Sequence, residues 1–510
     1  MTGRTQRRSV ADGPGRGHRA TLGCVVVVRH GFAAVCLSVV VGTGLVVPTA
    51  AADESNGSVG RTVYVTTSGR NFTETGPHNV SVYTVGQGGA LDPLGDPVAT
   101  GAGARGIVFT PNGKYAFVVA LEENTVYPYA VASDGGLVRN GQPVETGGDT
   151  PVGIAMAPDG RTLYVANLLS EPFGTVTVFA VHPNGTLARR GNPVPTGFPE
   201  ARNVAVSPDG RFLFVSHGVP GDVDPDVIVT FVIRPDGTLG AARPPVPIGA
   251  AGGGIGITPN GVFLYVVCLE TDDVHGFRIG YDGSLTPVPG SPFPAPRTPE
   301  GVAVTPDGGH LYVASVATRP VHTPEEDGVW TFSIDDKGTL HRVQSRVEAG
   351  VGPVGISTTP DGKWLYVSNF FSNNVSGFAI EPTPVPREVA GSPFPANGIG
   401  PAFDSVAVLP NQGPTASFTA IPGRTTRFDA TGSRDRDGKI ARYDWDFGDG
   451  TTLRDGGPKP EHVYDRPGVF VVKLVVTDDE GCSVRQVFTG RTALCNGSSA
   501  ARASKSVVVS

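Results

Sequence analysis

Cysteine is scarce in this chain, with five among 510 residues. Cys24 and Cys36 lie near the N-terminus, and Cys268 stands in an apolar strand pattern that is typical of a buried small side chain. Cys482 and Cys495 lie close together near the C-terminus, without a third cysteine or a nearby histidine. This arrangement argues against a zinc motif there and, in an exported protein, predicts a disulfide between Cys482 and Cys495.

The chain also lacks an apolar run near the N-terminus that is long enough to span a membrane. The run at residues 32–47 has 16 residues, whereas a spanning helix needs about 20. Arginines from Arg4 to Arg29 precede this run, and small residues up to Ala52 follow it. The order of basic, apolar and small segments predicts a secretory signal at residues 1–52. An uncleaved membrane anchor is the alternative.

No hydrophobic tail or wall-sorting motif follows the last apolar segment, residues 505–509. We therefore expect no stable membrane span once the signal is removed. The expected location is secreted or extracellular, with at most a loose association with the cell surface.

Positive charge is in short supply. Without residues 1–52 the chain carries 34 basic and 46 acidic side chains, a formal charge of −12. Because nucleic-acid binding rests on neutralising phosphates, this balance argues against a nucleic-acid partner. We expect a monomer whose partner is an extracellular polysaccharide or protein that the sequence does not identify.

A short β-hairpin is what the chain has in abundance. In Ser207-Pro-Asp-Gly210, proline presets the first turn position and glycine takes the left-handed conformation that closes the hairpin. The flanking residues alternate as strands do. Related turns centre on Pro111, Pro158, Pro208, Pro259, Pro306, Pro360 and Pro410, in steps of 47, 50, 51, 47, 54 and 50 residues. A period near 50 with several short strands per unit indicates a β-propeller.

A second turn inside each unit, such as Pro235-Asp-Gly-Thr-Leu239, completes a four-stranded blade. The repeat begins at residues 61–65 with a second strand and ends at residues 404–408 with a first strand. The last blade is therefore completed by the N-terminal strand, which removes an exposed sheet edge. We predict seven blades within residues 53–412.

The residues that begin the inner strands should surround one mouth of the central channel. In chain order they are Arg105, Val152, Arg202, Gly253, Glu300, Val354 and Phe403. Arginine offers a planar fork of donors, so Arg105, Arg202 and Glu300 could recognise an anion. The alternative is that these three charges pair with one another or are merely solvated.

Two clusters of carboxylates could hold Ca²⁺, which prefers oxygen ligands. Asp222, Asp224 and Asp226 lie in a long loop, for which a solvated acidic loop is the alternative. Asp435 and Asp437 lie in a second loop, where turn chemistry explains them equally well. We expect no other cofactor. A further long connection, residues 318–327, is a place where a propeller could carry binding residues.

The propeller repeats resemble two groups of known proteins. Thr162-Leu-Tyr-Val-Ala-Asn167 and Trp364-Leu-Tyr-Val-Ser-Asn369 resemble the Tyr-Val-Thr-Asn repeats of bacterial surface propellers. The larger pattern resembles the seven-bladed lactonase family, which includes 6-phosphogluconolactonase-type enzymes. That resemblance implies a lactone hydrolase with Arg105, Arg202 and Glu300 as its anion clamp. Family enzymes tend to carry a histidine beside the arginine, but this chain has Gly106 and Asn203 there. Of the remaining histidines, His217, which comes just after a second strand, is the best placed for a catalytic role in proton transfer.

The repeat stops after a short linker at residues 411–414, and a second all-β pattern follows. Tyr443-Asp-Trp-Asp-Phe-Gly-Asp-Gly450 and the long apolar strand at residues 469–476 resemble the polycystic-kidney-disease (PKD) domain, an immunoglobulin-like sandwich of exported proteins. We assign it to residues 413–510, with Trp445 and Phe447 in its core.

Two functions follow for this all-β chain. The missing histidines, the export signal and the appended PKD domain favour a non-enzymatic extracellular binding protein. The alternative is a secreted hydrolase of an anionic lactone. Fold alone does not decide between them.

Overall fold

The computed structural model describes residues 61–70, 74–219, 221, 225–316 and 327–510. The predicted signal, residues 1–52, lies outside them. Within the described ranges the structure contains no helix that is both long and apolar enough to cross a membrane.

The repeated turn forms as its residue types require. Ser207 Oγ donates to Asp209 Oδ1 over 2.6 Å, and Asp209 Oδ1 also accepts the N–H of Arg211 over 3.1 Å. Gly210 has a φ of 73° and donates its N–H to the Ser207 carbonyl over 2.8 Å. Because this conformation strains any residue with a Cβ, glycine recurs at the end of the turn.

The propeller strands form seven antiparallel sheets, which are the blades. Blade 1 contains β1 (Thr62–Thr67), β2 (Asn79–Val85), β3 (Leu91–Pro93) and β4 (Val98–Ala99). Blade 2 contains β5 (Ala104–Phe109), β6 (Tyr115–Ala120), β7 (Thr125–Val131), β8 (Leu137–Arg139) and β9 (Val144–Glu145). Blade 3 contains β10 (Pro151–Met156), β11 (Thr162–Asn167), β12 (Thr175–Val181), β13 (Leu187–Arg189) and β14 (Val194–Pro195). Blade 4 contains β15 (Ala201–Val206), β16 (Phe212–His217), β17 (Val227–Ile233), β18 (Leu239–Ala242) and β19 (Val246–Pro247).

The remaining propeller strands continue the same order. Blade 5 contains β20 (Gly252–Ile257), β21 (Phe263–Cys268), β22 (Asp273–Ile279), β23 (Leu285–Pro287) and β24 (Phe293–Pro294). Blade 6 contains β25 (Pro299–Val304), β26 (His310–Ser315), β27 (Gly328–Ile334) and β28 (Leu340–Val347). Blade 7 contains β29 (Pro353–Thr358), β30 (Trp364–Asn369), β31 (Asn374–Ala379), β32 (Arg387–Glu388) and β33 (Phe394–Pro395). The outer strand is split into two short pieces in every blade except blade 6.

The ring closes between the two ends of the repeat. Strand β34 (Val406–Val408) is the inner strand of blade 1 and pairs antiparallel with β1, with Val63 opposite Val408 and Val65 opposite Val406. The N–H of Thr66 also donates to the Ser405 carbonyl over 2.9 Å. The seven blades and their closure by the N-terminal strand confirm the sequence prediction.

A tyrosine in the second strand links each of five blades to another part of the ring. Tyr164 is fully buried, and its hydroxyl donates to the Gly237 carbonyl over 2.8 Å, across 73 residues of chain. The same kind of bond joins Tyr64 to Gly135, Tyr265 to Gly338, Tyr312 to Pro384 and Tyr366 to Gly89. Blades 2 and 4 carry Phe117 and Phe214 at this position and cannot make it.

We predict that Tyr164→Phe lowers the free energy of unfolding by about 1–2 kcal/mol, because it leaves the buried Gly237 carbonyl without its donor. Tyr281→Phe is the matched control, since Tyr281 is 90% exposed. Urea denaturation of both variants measures the difference. Equal stabilities of the two variants would contradict a structural role for these bonds.

The C-terminal region is a two-sheet sandwich. One sheet contains β35 (Thr419–Ile421), β36 (Thr425–Asp429) and β39 (Glu461–Val463). The other contains β37 (Ile440–Asp446), β38 (Thr452–Leu453), β40 (Gly468–Asp478) and β43 (Arg502–Val509). Trp445 and Phe447 are 2% and 3% exposed, and their rings stack in the core as predicted. The indole N–H of Trp445 donates to the Gly457 carbonyl over 3.0 Å.

A small hairpin leaves the sandwich and closes one end of the propeller channel. It consists of β41 (Val487–Phe488) and β42 (Ala493–Cys495) and precedes a short 3-10 helix (Ser499–Ala501). The predicted disulfide between Cys482 and Cys495 is present and joins the hairpin to the segment that follows β40. Phe488 and Ala493 pack within the apolar core of blades 3 and 4. Propeller and sandwich therefore form one compact unit.

The tip of this hairpin bonds to the last residues of the inner strands. The N–H groups of Met156, Val206 and Ile257 donate to the carbonyls of Arg491, Gly490 and Thr489 over 2.9, 2.7 and 3.2 Å. We call this end of the channel the lower mouth and the end where the inner strands begin the upper mouth. The lower mouth is filled by the hairpin tip.

Candidate functional site

The upper mouth opens into a cavity of about 610 Å³. Six of the seven residues predicted to surround the mouth line it, and Gly253 is the exception: Arg105, Val152, Arg202, Glu300, Val354 and Phe403. These side chains project from the second residue of their inner strands, or from just before β34. The cavity is of a size that suits a small organic molecule.

The wall above these residues is mainly apolar. It is formed largely by residues that follow the second strands, where the chain turns at the upper face: Leu121, Leu168, Val219, Val316, Phe370 and Phe371. Glu270 and Thr298 add polar atoms to the wall. A ligand that fills the cavity would therefore contact apolar surface on its sides and charged groups at its base.

Two of the three charged groups at the base of the cavity form an ion pair. Arg202 Nη2 lies 2.8 Å from Glu300 Oε2, and the two side chains are only 10% and 13% exposed. The Arg202 guanidinium also lies 5.5 Å from the centre of the Phe403 ring. The sequence left open that Arg105, Arg202 and Glu300 pair with one another. In the structure Arg202 and Glu300 do so.

Arg105 is the third charged group, and no described carboxylate lies within ion-pair distance of it. Its Nε and Arg202 Nη1 are buried and make no hydrogen bond to any described residue. Burial lowers the pKa of Arg105, with the nearby Glu300 carboxylate opposing this shift and Arg202 adding to it. The base of the cavity thus carries two guanidinium groups and one carboxylate, and the Glu270 carboxylate belongs to the wall of the same cavity.

His217 lies at the end of β16 and is 1% exposed. Its Nδ1 lies 3.2 Å from the Val227 carbonyl, and its ring packs edge-on against Phe198. Burial lowers the pKa of His217 to about 4, so the ring is neutral at neutral pH. His217 is not among the described residues that line the cavity, and none of those residues is a histidine.

The two long loops near the upper mouth are described only in part. Asp222 and Asp224, both predicted as calcium ligands, lie outside the described residues, as does most of the insert at residues 318–327. Asp226 is described, and its Oδ2 accepts the N–H of Ala251 over 2.7 Å. Asp327 is 1% exposed and accepts the N–H of Gly352 over 2.6 Å.

A second layer of charge lies directly below the cavity, and sequence reasoning missed it. Asp404 accepts a hydrogen bond from Asn203 Nδ2 over 3.3 Å and forms an ion pair with Arg491, which reaches up from the hairpin tip. Arg491 Nη2 also donates to the Asp404 carbonyl over 3.3 Å. Burial lowers the pKa of Arg491 to about 10.

The sequence contained a signal for this layer. Five blades carry glycine at the position after the mouth residue: Gly106, Gly153, Gly254, Gly301 and Gly355. The other two blades carry Asn203 and Asp404, which bond to each other. A Cβ at Gly106 would lie 3.3 Å from the Asp404 Cβ. A Cβ at Gly153 would lie 2.8 Å from the Asn203 Cα, so Gly106 and Gly153 allow the close approach of the two members of this pair.

We predict that Arg491→Met destabilises the protein by about 3–5 kcal/mol, because it leaves the buried Asp404 carboxylate without its ion-pair partner and with only the Asn203 amide to donate to it. Adding Asp404→Asn should restore part of the loss, since the unpaired charge is then gone. Urea denaturation of the single and double variants measures this coupling. If Arg491→Met were as stable as the wild type, the ion pair would not be what holds the hairpin in the channel.

Four aspartates form the second candidate site, on the sandwich. Asp435 Oδ2 and Asp437 Oδ1 are buried and receive no hydrogen bond from any described residue. A Cβ placed on Gly438 would lie 2.6 Å from Asp435 Oδ2 and 2.4 Å from Asp479 Oδ1, so both oxygens lie beside this glycine. Burial, followed by the Asp437 and Asp478 carboxylates, raises the pKa of Asp435 to about 7. The four aspartates, Asp435, Asp437, Asp478 and Asp479, therefore place several carboxylates close together.

The propeller belongs to the seven-bladed lactonase family. The family model described as "Lactonase, 7-bladed beta-propeller" matches residues 64–224 and 288–386, which together make up about half of the chain. The PKD domain model matches residues 410–492. The chain is therefore a member of the lactonase propeller family with a C-terminal PKD domain.

Solved structures show the same propeller fold. A putative 6-phosphogluconolactonase of Bacteroides uniformis is 22% identical with a TM-score of 0.57, and the match covers 68% of this chain and 99% of that one. A periplasmic gluconolactonase of Pseudomonas aeruginosa is 21% identical with a TM-score of 0.53, over 68% and 99% of the two chains.

Curated relatives match over a short stretch. The collagenase ColQ1 of Bacillus cereus is 41% identical over 75 residues, which is 14% of this chain and 8% of that protein. The collagenase ColA of Clostridium perfringens is 48% identical over 54 residues, or 11% and 5% of the two proteins. The chain thus spans less than a tenth of the length of these two collagenases.

Proposed function

We propose that this protein is an extracellular binding protein whose upper cavity holds a small organic anion with an apolar body. The observation that carries this proposal is Arg105, a half-buried side chain at the base of a largely apolar cavity, whose buried Nε makes no hydrogen bond and which has no carboxylate at ion-pair distance among the described residues. A buried charge without a partner is costly. A carboxylate or phosphate of the ligand would offset that cost through charge-assisted hydrogen bonds.

The apolar wall and the filled lower mouth support the same function. Because the hairpin tip occupies the lower mouth, the ligand enters and leaves through the upper mouth. The cavity combines mostly hydrophobic lining with a few polar groups, as small-molecule sites do. In this proposal the protein is a monomer outside the cell, has no membrane span after loss of the signal, and binds no nucleic acid. The presence of a PKD domain and the similarity to collagenases support an extracellular location.

We predict that Arg105→Gln weakens binding of small carboxylates by at least about tenfold, or about 1.4 kcal/mol. Arg161→Gln is the control, because Arg161 is exposed on a blade turn. Isothermal titration with a panel of aliphatic and sugar carboxylates, each paired with its uncharged amide, measures the effect. The proposal would be contradicted if the carboxylates bound wild type and Arg105→Gln with equal affinity. It would also be contradicted if the wild type bound the amides as tightly as the acids.

A lactone hydrolase is the second candidate, and family membership together with Arg105, Arg202 and Glu300 at one cavity favours it. Arg105 would hold the anionic group of the substrate, while Glu300 is the nearest carboxylate for proton transfer. Its pairing with Arg202 weighs against this, since Glu300 Oε2 is already held by the Arg202 guanidinium. Base consumption by a lactone panel in a pH-stat, lost in Glu300→Gln, would establish hydrolysis. No turnover by the wild type would exclude it for that panel and leave the binding proposal intact.

We also propose that the four-aspartate cluster of the sandwich binds Ca²⁺. Asp435 and Asp437 offer buried carboxylate oxygens with no donor among the described residues, and Asp478 and Asp479 lie beside them. Hard oxygen ligands of this kind suit Ca²⁺ better than softer metals. The ion would offset the repulsion among these carboxylates and stabilise the sandwich.

We predict that removing Ca²⁺ with a chelator lowers the unfolding temperature of the wild type and that restoring Ca²⁺ reverses the change. Asp437→Asn should abolish most of this shift, whereas Asp465→Asn, at an exposed position, should not. Differential scanning calorimetry measures the unfolding temperatures of the wild type, Asp437→Asn and Asp465→Asn, each with and without Ca²⁺. A shift of the same size in Asp437→Asn would place the calcium elsewhere.

A further inference from the structure

A third cluster of ligand-type side chains lies at the upper end of blade 5, outside both sites described above. Cys268 ends β21, and Asp273 and His275 are the first and third residues of β22. In the antiparallel register Cys268 is opposite Asp273, and Val266 is opposite His275. Directly opposite residues and residues two apart share one face of a sheet, so the pairing brings all three side chains together.

The ligand atoms of this cluster are close enough to share one ion. The Cys268 sulfur, a carboxylate oxygen of Asp273 and a ring nitrogen of His275 all lie within 4.8 Å of one another. His275 Nε2 is 3.4 Å from Asp273 Oδ1. Two ligands bound tetrahedrally at about 2.0–2.2 Å from one zinc ion are separated by about 3.4 Å, which is this spacing.

We propose that Cys268, Asp273 and His275 form a zinc site. A sulfur, an oxygen and a nitrogen ligand make a mixed set that zinc accepts and that Ca²⁺ and Mg²⁺ do not favour. Three protein ligands leave a fourth position for water, the usual pattern of an open zinc site.

The surroundings of the cluster suit such a site. Cys268 is fully buried, whereas the side chains of Asp273 and His275 are 17% and 16% exposed, so an ion can enter from the surface. Thr271 Oγ1 donates to Asp273 Oδ1 over 3.1 Å and orients that carboxylate. A Cβ at Gly249 would overlap Thr271 Oγ1 and lie 2.9 Å from the Cys268 Cβ and 3.0 Å from Asp273 Oδ1, so a glycine there lets these three side chains pack against the backbone.

The site is next to the cavity without being part of it. None of the three residues lines the cavity, but Glu270, two residues after Cys268, does. A zinc ion would tie the end of β21 to the start of β22 and fix the connection that carries Glu270. The inference about zinc does not depend on what the cavity binds.

Metal-free protein, titrated with Zn²⁺ and in parallel with Co²⁺, tests the proposal. We expect one ion per chain at this site and, with Co²⁺, a sulfur-to-cobalt charge-transfer band. Cys268→Ser should abolish the band and weaken Zn²⁺ binding by more than about tenfold, whereas His275→Gln should weaken binding and keep the band. His341→Gln is the matched control, because His341 lies 3.1 Å from Asp335 in an exposed pair that has no cysteine.

Several outcomes would overturn the proposal. These are no stoichiometric Zn²⁺ binding, a cobalt spectrum without the sulfur band, or a Zn²⁺ affinity that neither Cys268→Ser nor His275→Gln changes. If Cys268→Ser does not fold, His275→Gln and the wild-type cobalt spectrum still decide. Asp437→Asn should leave zinc binding unchanged, which separates this site from the aspartate cluster of the sandwich.

Discussion

The pairing of β34 with β1 is the interaction on which the rest of this structure depends. Each blade buries its apolar faces against its neighbours, so an open array would leave two unpartnered faces and two strand edges. The pairing of Val406–Val408 with the N-terminal strand removes the unpartnered faces and the open strand edges together. The closed ring gathers the first residues of seven inner strands around one axis. Without closure, Arg105 and Glu300 would have no common cavity.

The closed ring has two mouths, and the sandwich domain makes them unequal. Its disulfide-linked hairpin fills the lower mouth, and Arg491 carries a buried positive charge up the axis to Asp404. The PKD domain is therefore a structural part of the channel as well as an appended module. In the part of the chain that the structure describes, the upper mouth holds the cavity of about 610 Å³, and Arg105 at its base has no carboxylate at ion-pair distance.

The repeat explains what could be predicted from sequence. Pro-Asp-Gly turns at a regular spacing predict blades, and the strand types at residues 61–65 and 404–408 predict how the ring closes. The mouth residues followed from the same alignment, and six of seven line the cavity. Arg491 could not be found this way, because it belongs to no repeat and reaches the axis only through contact between domains. The sequence could not show which charged groups pair at the base of the cavity. Arg202 pairs with Glu300 because of the positions of their side chains, which the repeat spacing does not encode.

The central claim is that an anion enters by the upper mouth and lies against Arg105 at the base of the cavity. A crystal structure of the protein soaked with its tightest-binding carboxylate tests this most directly. The account predicts electron density for the carboxylate within hydrogen-bond distance of the Arg105 guanidinium, with the rest of the ligand against Phe370, Phe371 and Phe403. Density for the ligand elsewhere on the molecule, with the cavity holding only water, would contradict it.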